Sequence, residues 1–202
     1  MRGSTPELKL LLNKMKIGIL NSGGFNFNSI KFTLNRIGVF DVEIVKSPDE
    51  FDICERIIIP GVGHASVAME MIESQNLGNC IKNTKKPVLG ICLGMQIMFE
   101  KSAEGGVDCL GIFEGEIVKI PDGVRSPQMG WNKMVGGKYG GEFVFFANGY
   151  YLPITNYTES FVEYFGVEIS AIVRKNNFFG CQFHPEKSGV IGEKILNDFI
   201  NL

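Results

Sequence analysis

Short apolar runs, each ended by a glycine- or proline-containing break, set the rhythm of the first hundred residues. Ile17-Gly18-Ile19-Leu20, Val42 to Val45, Arg56-Ile57-Ile58-Ile59 and Val88-Leu89-Gly90-Ile91 are too short for buried helices and read as buried strands. Between them the apolar spacing changes to that of a helix. Ile30, Leu34 and Ile37 share one face of a segment from about Asn26 to Ile37, and Ala65 to Glu73 and Leu77 to Asn83 read as two more helices. Strands alternating with helices predict an α/β fold: a flavodoxin-like, doubly wound and mainly parallel sheet. In such sheets sites gather at the carboxyl ends of the strands.

The second half has a different texture. Leu110-Gly111-Ile112, Glu116 to Ile120, Phe143 to Phe146, Ile169 to Arg174 and Phe178 to Gln182 read as strands, with Asn176-Asn177 a tight turn between the last two. Their aromatic, β-branched character predicts antiparallel additions to the parallel sheet. Ser126 to Asn132 holds Pro127, Gly130 and the single tryptophan, and reads as a loop. Trp131 there is either a core plug or an interface anchor. Ile191 to Ile200 is a closing amphipathic helix.

Composition narrows the class. The 202 residues suit one domain, and 45% hydrophobic with 21% charged residues suits a globular protein with a sizeable core. A formal net charge of -2 points away from a general nucleic-acid or membrane surface. The five cysteines show no paired spacing, and no cysteine or histidine cluster suggests a metal, so neither metal nor cofactor is expected. No apolar run is long enough to span a bilayer, and no signal peptide precedes the first strand, so the expected location is a reducing cytoplasm. Met1-Arg2-Gly3-Ser4 looks like an added leader; residues 1–14 are set aside and the domain is taken as 15–202.

The chemistry concentrates where the fourth strand ends. Gly90-Ile91-Cys92-Leu93-Gly94-Met95-Gln96 has a cysteine framed by glycines, followed by a segment to Glu100 that reads as a helix. This is the strand–turn–helix elbow that presents a nucleophile at the tip of a sheet. The helix start favours a thiolate and offers free N–H groups to an oxyanion. A buried inert cysteine would also fit this turn, so a partner base is needed to decide. Phe183-His184-Pro185-Glu186 supplies one. In an extended segment His184 and Glu186 project to the same side, giving nucleophile, base and orienter in Cys92, His184 and Glu186. Pro60-Gly61-Val62-Gly63-His64, at another strand end, is a candidate source of a second oxyanion donor, with His64 read as a helix-start residue.

The elbow and the tail Gln182-Phe183-His184-Pro185-Glu186 resemble the class I (triad) glutamine amidotransferases. Pro60-Gly61-Val62-Gly63, Met129-Gly130-Trp131-Asn132 and Glu186-Lys187-Ser188 narrow the resemblance to the glutaminase subunits of imidazole glycerol phosphate synthase, over residues 16–202. The resemblance implies a glutaminase in which Cys92 attacks glutamine, Val62 and Leu93 supply the oxyanion N–H groups, and Gly61, Gly63, Gln96, Asn148 and Gly149 contact the substrate. It also implies a β/α-barrel cyclase partner that Met129, Trp131 and Lys187 would face, and ammonia channelled to that partner in histidine biosynthesis. Three places depart from the family pattern, one of them a shorter stretch between Asn132 and Phe143. Gln128 stands where the family usually has histidine, and Asn148-Gly149-Tyr150 where it usually has His-Ser-Tyr. An alternative that fits those departures is a paralogue supplying ammonia for another acceptor, such as a nucleotide-linked or surface sugar.

Overall fold

The computed structural model describes residues 15–23, 27–61 and 63–202. The chain runs β1 (Ile17–Leu20), α1 (Phe27–Arg36), β2 (Val42–Val45), α2 (Pro48–Asp52), β3 (Arg56–Ile59), α3 (Ala65–Ser74), α4 (Gly78–Asn83), β4 (Val88–Ile91) and α5 (Leu93–Gln96). Then come β5 (Lys101–Ser102), β6 (Val107–Asp108), β7 (Glu116–Lys119), β8 (Gln128–Lys133), β9 (Phe143–Asn148) and β10 (Tyr150–Tyr151). The chain closes with β11 (Thr158–Tyr164), β12 (Val167–Lys175), β13 (Phe178–Cys181), a 3-10 turn (Pro185–Lys187) and α6 (Gly189–Ile200). Residues 1–14 and Asn26, which the sequence reading set aside or placed in the first helix, lie outside the described residues.

A seven-stranded sheet in the order β11-β12-β13-β4-β3-β1-β2 organises the molecule. From β2 to β13 its neighbours are parallel, and β12 and β11 add antiparallel strands at one edge. The expected doubly wound α/β sheet with antiparallel additions is therefore present. Every residue of β1 and β4 is buried, which is why those strands read as unbroken apolar runs rather than alternating ones. Two apolar clusters cover the sheet. One, around Ile19, Leu34, Phe183 and Leu196, packs α1 and α6; the other, around Leu20, Ile57, Ile72 and Phe99, packs α3 and α4. Among the described residues no helix is long and apolar enough to cross a membrane.

Three expectations are corrected. The helix after Cys92 stops at Gln96 rather than Glu100, because the carbonyls of Ile97, Met98 and Phe99 accept from the N–H groups of Leu110, Ile112 and Gly111. Those bonds also hold Leu110 to Ile112 as a connecting segment instead of a strand. Residues 126–132 do not form a loop: Gln128–Lys133 is a strand paired antiparallel with β9, with Trp131 opposite Phe145. Trp131 is 53% exposed on that hairpin, so it is no core plug.

Candidate active site

β3, β4 and β13 are adjacent parallel strands, and their register pairs Ile59 with Gly90 and Ile91 with Cys181. The residues that leave these strand ends are thereby brought together. Cys92 leaves β4 with φ +50 and ψ -110, a backbone conformation that L residues seldom adopt. Its N–H donates to the Cys181 carbonyl at 2.7 Å, and Leu93 follows as the first residue of α5, its N–H without an intrahelical acceptor. The loop after β3 lies directly on this elbow. A Cβ on Gly61 would fall 1.8 Å from the Ile91 carbonyl and 2.3 Å from the Leu93 nitrogen; one on Gly94 would fall 1.9 Å from the Ile59 carbonyl. Backbone packs against backbone here, and no side chain fits between.

His184 sits on the segment leaving β13, and β9 fixes it. Its N–H donates to the Phe145 carbonyl at 2.9 Å. The Ser188 hydroxyl donates to the His184 carbonyl at 2.7 Å and accepts from the Phe145 N–H at 3.0 Å. Nδ1 lies 2.8 Å from Glu186 Oε1, and both side chains are buried. The segment is not extended, as the sequence reading had it: the 3-10 turn brings Glu186 back under the ring. The ring also interacts with the Cys92 side chain. Burial alone would depress the His184 pKa, but hydrogen bonds to Cys92 and Glu186 outweigh it and carry the pKa from 6.5 up to about 9.

This raised value sets an expected pH behaviour. The stability that His184 lends the fold is complete below its ordinary value of 6.5 and is lost as pH rises through about 9. NMR of the ring protons should show an imidazolium persisting well above pH 7. In Cys92→Ala the sulfur's contribution is gone and burial counts for more, so the midpoint must fall. A His184 titration unaltered by that substitution contradicts the contact.

Above the sulfur is a cavity of about 220 Å³. Cys92, His184, Leu93, Gly61, Gly63, Gln96, Asn148 and Gly149 all line it, as does Lys187, which the resemblance assigned to the partner face. Glu186 stands behind His184, away from the lining. Val62 lies outside the described residues. Met129 and Trp131 are on the exposed face of the β8–β9 hairpin. The Gln96 Nε2 is already engaged, donating to the Tyr150 carbonyl at 2.8 Å and to Gln182 Oε1 at 3.0 Å, so only its oxygen is left for a ligand.

Four cavity or near-cavity residues were given no role by the sequence reading: Glu104, Ala147, Tyr150 and Gln182. Glu104 Oε2 accepts from the Ala65 N–H at 2.9 Å at the start of α3, next to His64, which caps that helix by accepting from Ser66 N–H. No local pattern marks Glu104; the β5–β6 connection brings it to the cavity. Gln182 stood in the recognised tail without an assigned role.

The sequence model of the family described as Glutamine amidotransferase class-I matches residues 19–202. The chain belongs to the class-I glutamine amidotransferases. It is 38% identical over 203 residues to the imidazole glycerol phosphate synthase subunit HisH of Bacteroides thetaiotaomicron, covering 93% of this chain and 100% of that protein. The subunit HisH of Escherichia coli (strain K12) is 37% identical over 198 residues, again covering 93% of this chain and 100% of that protein. A solved structure described as a glutamine amidotransferase superposes with a TM-score of 0.74 at 16% identity, over 92% of this chain and 99% of the other. At that identity the solved structure speaks for the fold.

Two of the departures from the family pattern prove to be neighbours in this amidotransferase. Gln128 and Asn148 are direct cross-strand partners in the β8–β9 hairpin. Gln128 is fully buried, and neither atom of its amide has a hydrogen-bond partner within the described residues; the same holds for Asn148 Oδ1. A buried unpaired amide costs about 1–3 kcal/mol. Gln128→Met, which keeps the volume and removes the polar atoms, should therefore raise stability by about 1 kcal/mol in urea unfolding. A loss of stability would mean that the amide is satisfied.

Proposed function

We propose that this amidotransferase is the glutaminase subunit of an imidazole glycerol phosphate synthase, supplying ammonia to a β/α-barrel cyclase in histidine biosynthesis. The observation that carries the reading is the Cys92–His184–Glu186 contact chain at the floor of a polar cavity sized for a single amino acid.

The geometry supports each step. The Cys92 thiolate attacks the side-chain amide carbon of glutamine, forming a C–S bond and an oxyanion. The Leu93 N–H and an N–H of the loop at residues 61–63 receive that charge. His184, oriented by Glu186, gives its proton to the departing nitrogen, and ammonia leaves with cleavage of the C–N bond. Water then attacks the thioester, His184 takes its proton, and glutamate departs with the thiolate restored. Glu104 and Lys187 line the same cavity with opposite charges, complementary to the ammonium and carboxylate of a free amino acid. This argues against a peptide substrate, in which both groups would be tied up in amide bonds.

The hairpin supports the partner reading. Met129, Trp131 and Phe143 expose an apolar face, at 63%, 53% and 54%. Through Phe145 that hairpin is bonded directly to the His184 segment, so docking there is well placed to act on the triad. The paired departures at Gln128 and Asn148 support a second reading, a paralogue serving a different barrel and acceptor. Glutamate release should be measured with the chain alone, with the histidine-pathway cyclase, and with any other barrel protein encoded beside it. Marked stimulation by the histidine cyclase is expected. Stimulation only by another barrel favours the second reading, and cleavage of peptides in preference to glutamine refutes both.

A further inference from the structure

The triad does not account for everything that touches the nucleophile. Gln182 is completely buried, and its Nε2 lies 3.6 Å from the Cys92 sulfur. Its position follows from register: Cys181 pairs with Ile91, so the next residue on each strand meets at the sheet's tip. Its N–H is tied to the Ala171 carbonyl at 3.0 Å, which anchors the backbone to β12.

The orientation of the Gln182 amide is set by a chain of acceptors that ends on a backbone carbonyl. The Tyr150 carbonyl can only accept. It takes the Gln96 amide N–H at 2.8 Å, and the Asn148 Nδ2 at 3.0 Å. The second hydrogen of Gln96 Nε2 goes to Gln182 Oε1 at 3.0 Å. With its oxygen committed to that donor, Gln182 turns its NH₂ group toward the sulfur. Turning the amide over would set NH₂ against NH₂ and leave an acceptor facing the sulfur.

We propose that Gln182 is a further catalytic residue of this glutaminase, its side-chain amide donating a hydrogen bond to the Cys92 sulfur and holding it as the attacking thiolate. His184 approaches the same sulfur and must give up its proton to the leaving nitrogen during the reaction. Gln182 has no such duty, so its donation persists while the imidazole is neutral. It serves the thiolate again when the thioester breaks and the sulfur leaves as an anion. Being buried, the contact is not weakened by exchange with water. The residue thus acts on the entering and leaving sulfur, whereas the N–H groups of the oxyanion site act on the carbonyl oxygen.

The role rests on the amidotransferase reading, but its test does not need glutamine. The rate of Cys92 alkylation by iodoacetamide should be measured at pH 8 on the full chain, with the modified cysteine identified by peptide mass. Two variants separate donation to sulfur from mere support of Gln96. Gln182→Glu retains an oxygen to accept from Gln96 but replaces the NH₂ with an anionic oxygen beside the sulfur. Gln182→Met removes both functions without adding charge. Both should slow alkylation by about tenfold or more, the scale of one charge-assisted hydrogen bond, with Gln182→Glu the slower.

An unchanged rate in Gln182→Met overturns the proposal, since a thioether cannot donate. So does a slower rate in Gln182→Met than in Gln182→Glu, which would mean that support of Gln96 is what matters. Thermal unfolding confirms that each variant is folded; should Gln182→Glu fail to fold, Gln182→Met still tests the proposal, since an unchanged rate there overturns it. If the unsubstituted chain alkylates at Cys92 and the variants slow as expected, while glutamine is not hydrolysed with any partner, the substrate assignment fails and the role of Gln182 stands.

Discussion

Cys92→Ala should abolish glutamate release, lowering the rate by about 10⁴-fold or more, because the missing sulfur is the proposed nucleophile that forms the covalent intermediate. The fold should remain. Cys92 is 6% exposed at the cavity floor, and alanine removes one atom where the cavity already supplies open space. The φ of +50 at this position strains alanine as it strains cysteine, so the backbone cost is unchanged. Ammonia-dependent synthesis by a partner cyclase given ammonium salt should survive, because the barrel's chemistry does not pass through this sulfur. Measuring glutamate release and ammonium-dependent product in the same complex separates the two. Residual glutamine-dependent turnover near the unsubstituted rate would end the nucleophile assignment.

Gly61→Ala is the second large effect. The new methyl would stand 1.8 Å from the Ile91 carbonyl and 2.3 Å from the Leu93 nitrogen, far inside contact distance of backbone that cannot rotate away. The loop after β3 must lift off the elbow, and both proposed sources of oxyanion N–H groups move with it. Loss of one such donor costs about 10²–10³ in rate, so a drop of at least that size in glutamate release is expected. Overpacking of this kind also destabilises by about 1–3 kcal/mol. Thermal unfolding with glutamate release on the same preparation checks it. Near-normal activity would show that the loop does not lie on the elbow during catalysis.

The sheet was legible in the sequence because its central strands are buried on both faces and therefore continuously apolar, as in Ile57-Ile58-Ile59. The grouping of Cys92, His184 and Glu186 was legible because they sit in short segments, one framed by glycines and one pairing a histidine with a nearby acid. The hairpin was not. In Gln128–Lys133 the buried first position is a polar glutamine, while apolar Met129 and Trp131 face outward, which inverts the pattern that marks a strand with one face in a core. A strand whose apolar residues face outward reads as irregular when seen alone. The strand Thr158–Tyr164 was missed because one of its buried positions is Ser160, whose hydroxyl bonds to the Gly136 carbonyl at 3.1 Å.

Other misses have other causes. The short helix Pro48–Asp52 carried a readable signal that was passed over: Ser47 accepts from the Glu50 N–H while Glu50 Oε2 accepts from the Lys46 N–H, a variant of the capping box. The early end of the helix after Cys92 had none, since the bonds that stop it come from residues 110–112, more than ten positions away along the chain. Glu104 and Gln182 belong to the same class. Their importance arises only when the sheet brings β13 and the β5–β6 connection to the tip of β4.

The proposed catalysis requires Cys92 to be the one thiol poised to attack a glutamine side chain. Cys54, Cys80, Cys109 and Cys181 provide an internal control, since all are free and none lines the cavity. The decisive measurement exposes the full chain, alone and with the histidine-pathway cyclase proposed as its partner, to an electrophilic glutamine analogue and locates the adduct by peptide mass. One adduct, on Cys92, slowed by added glutamine and lost in His184→Ala, is the predicted result. Labelling spread over the other cysteines, or no labelling of Cys92 even with the partner bound, contradicts it.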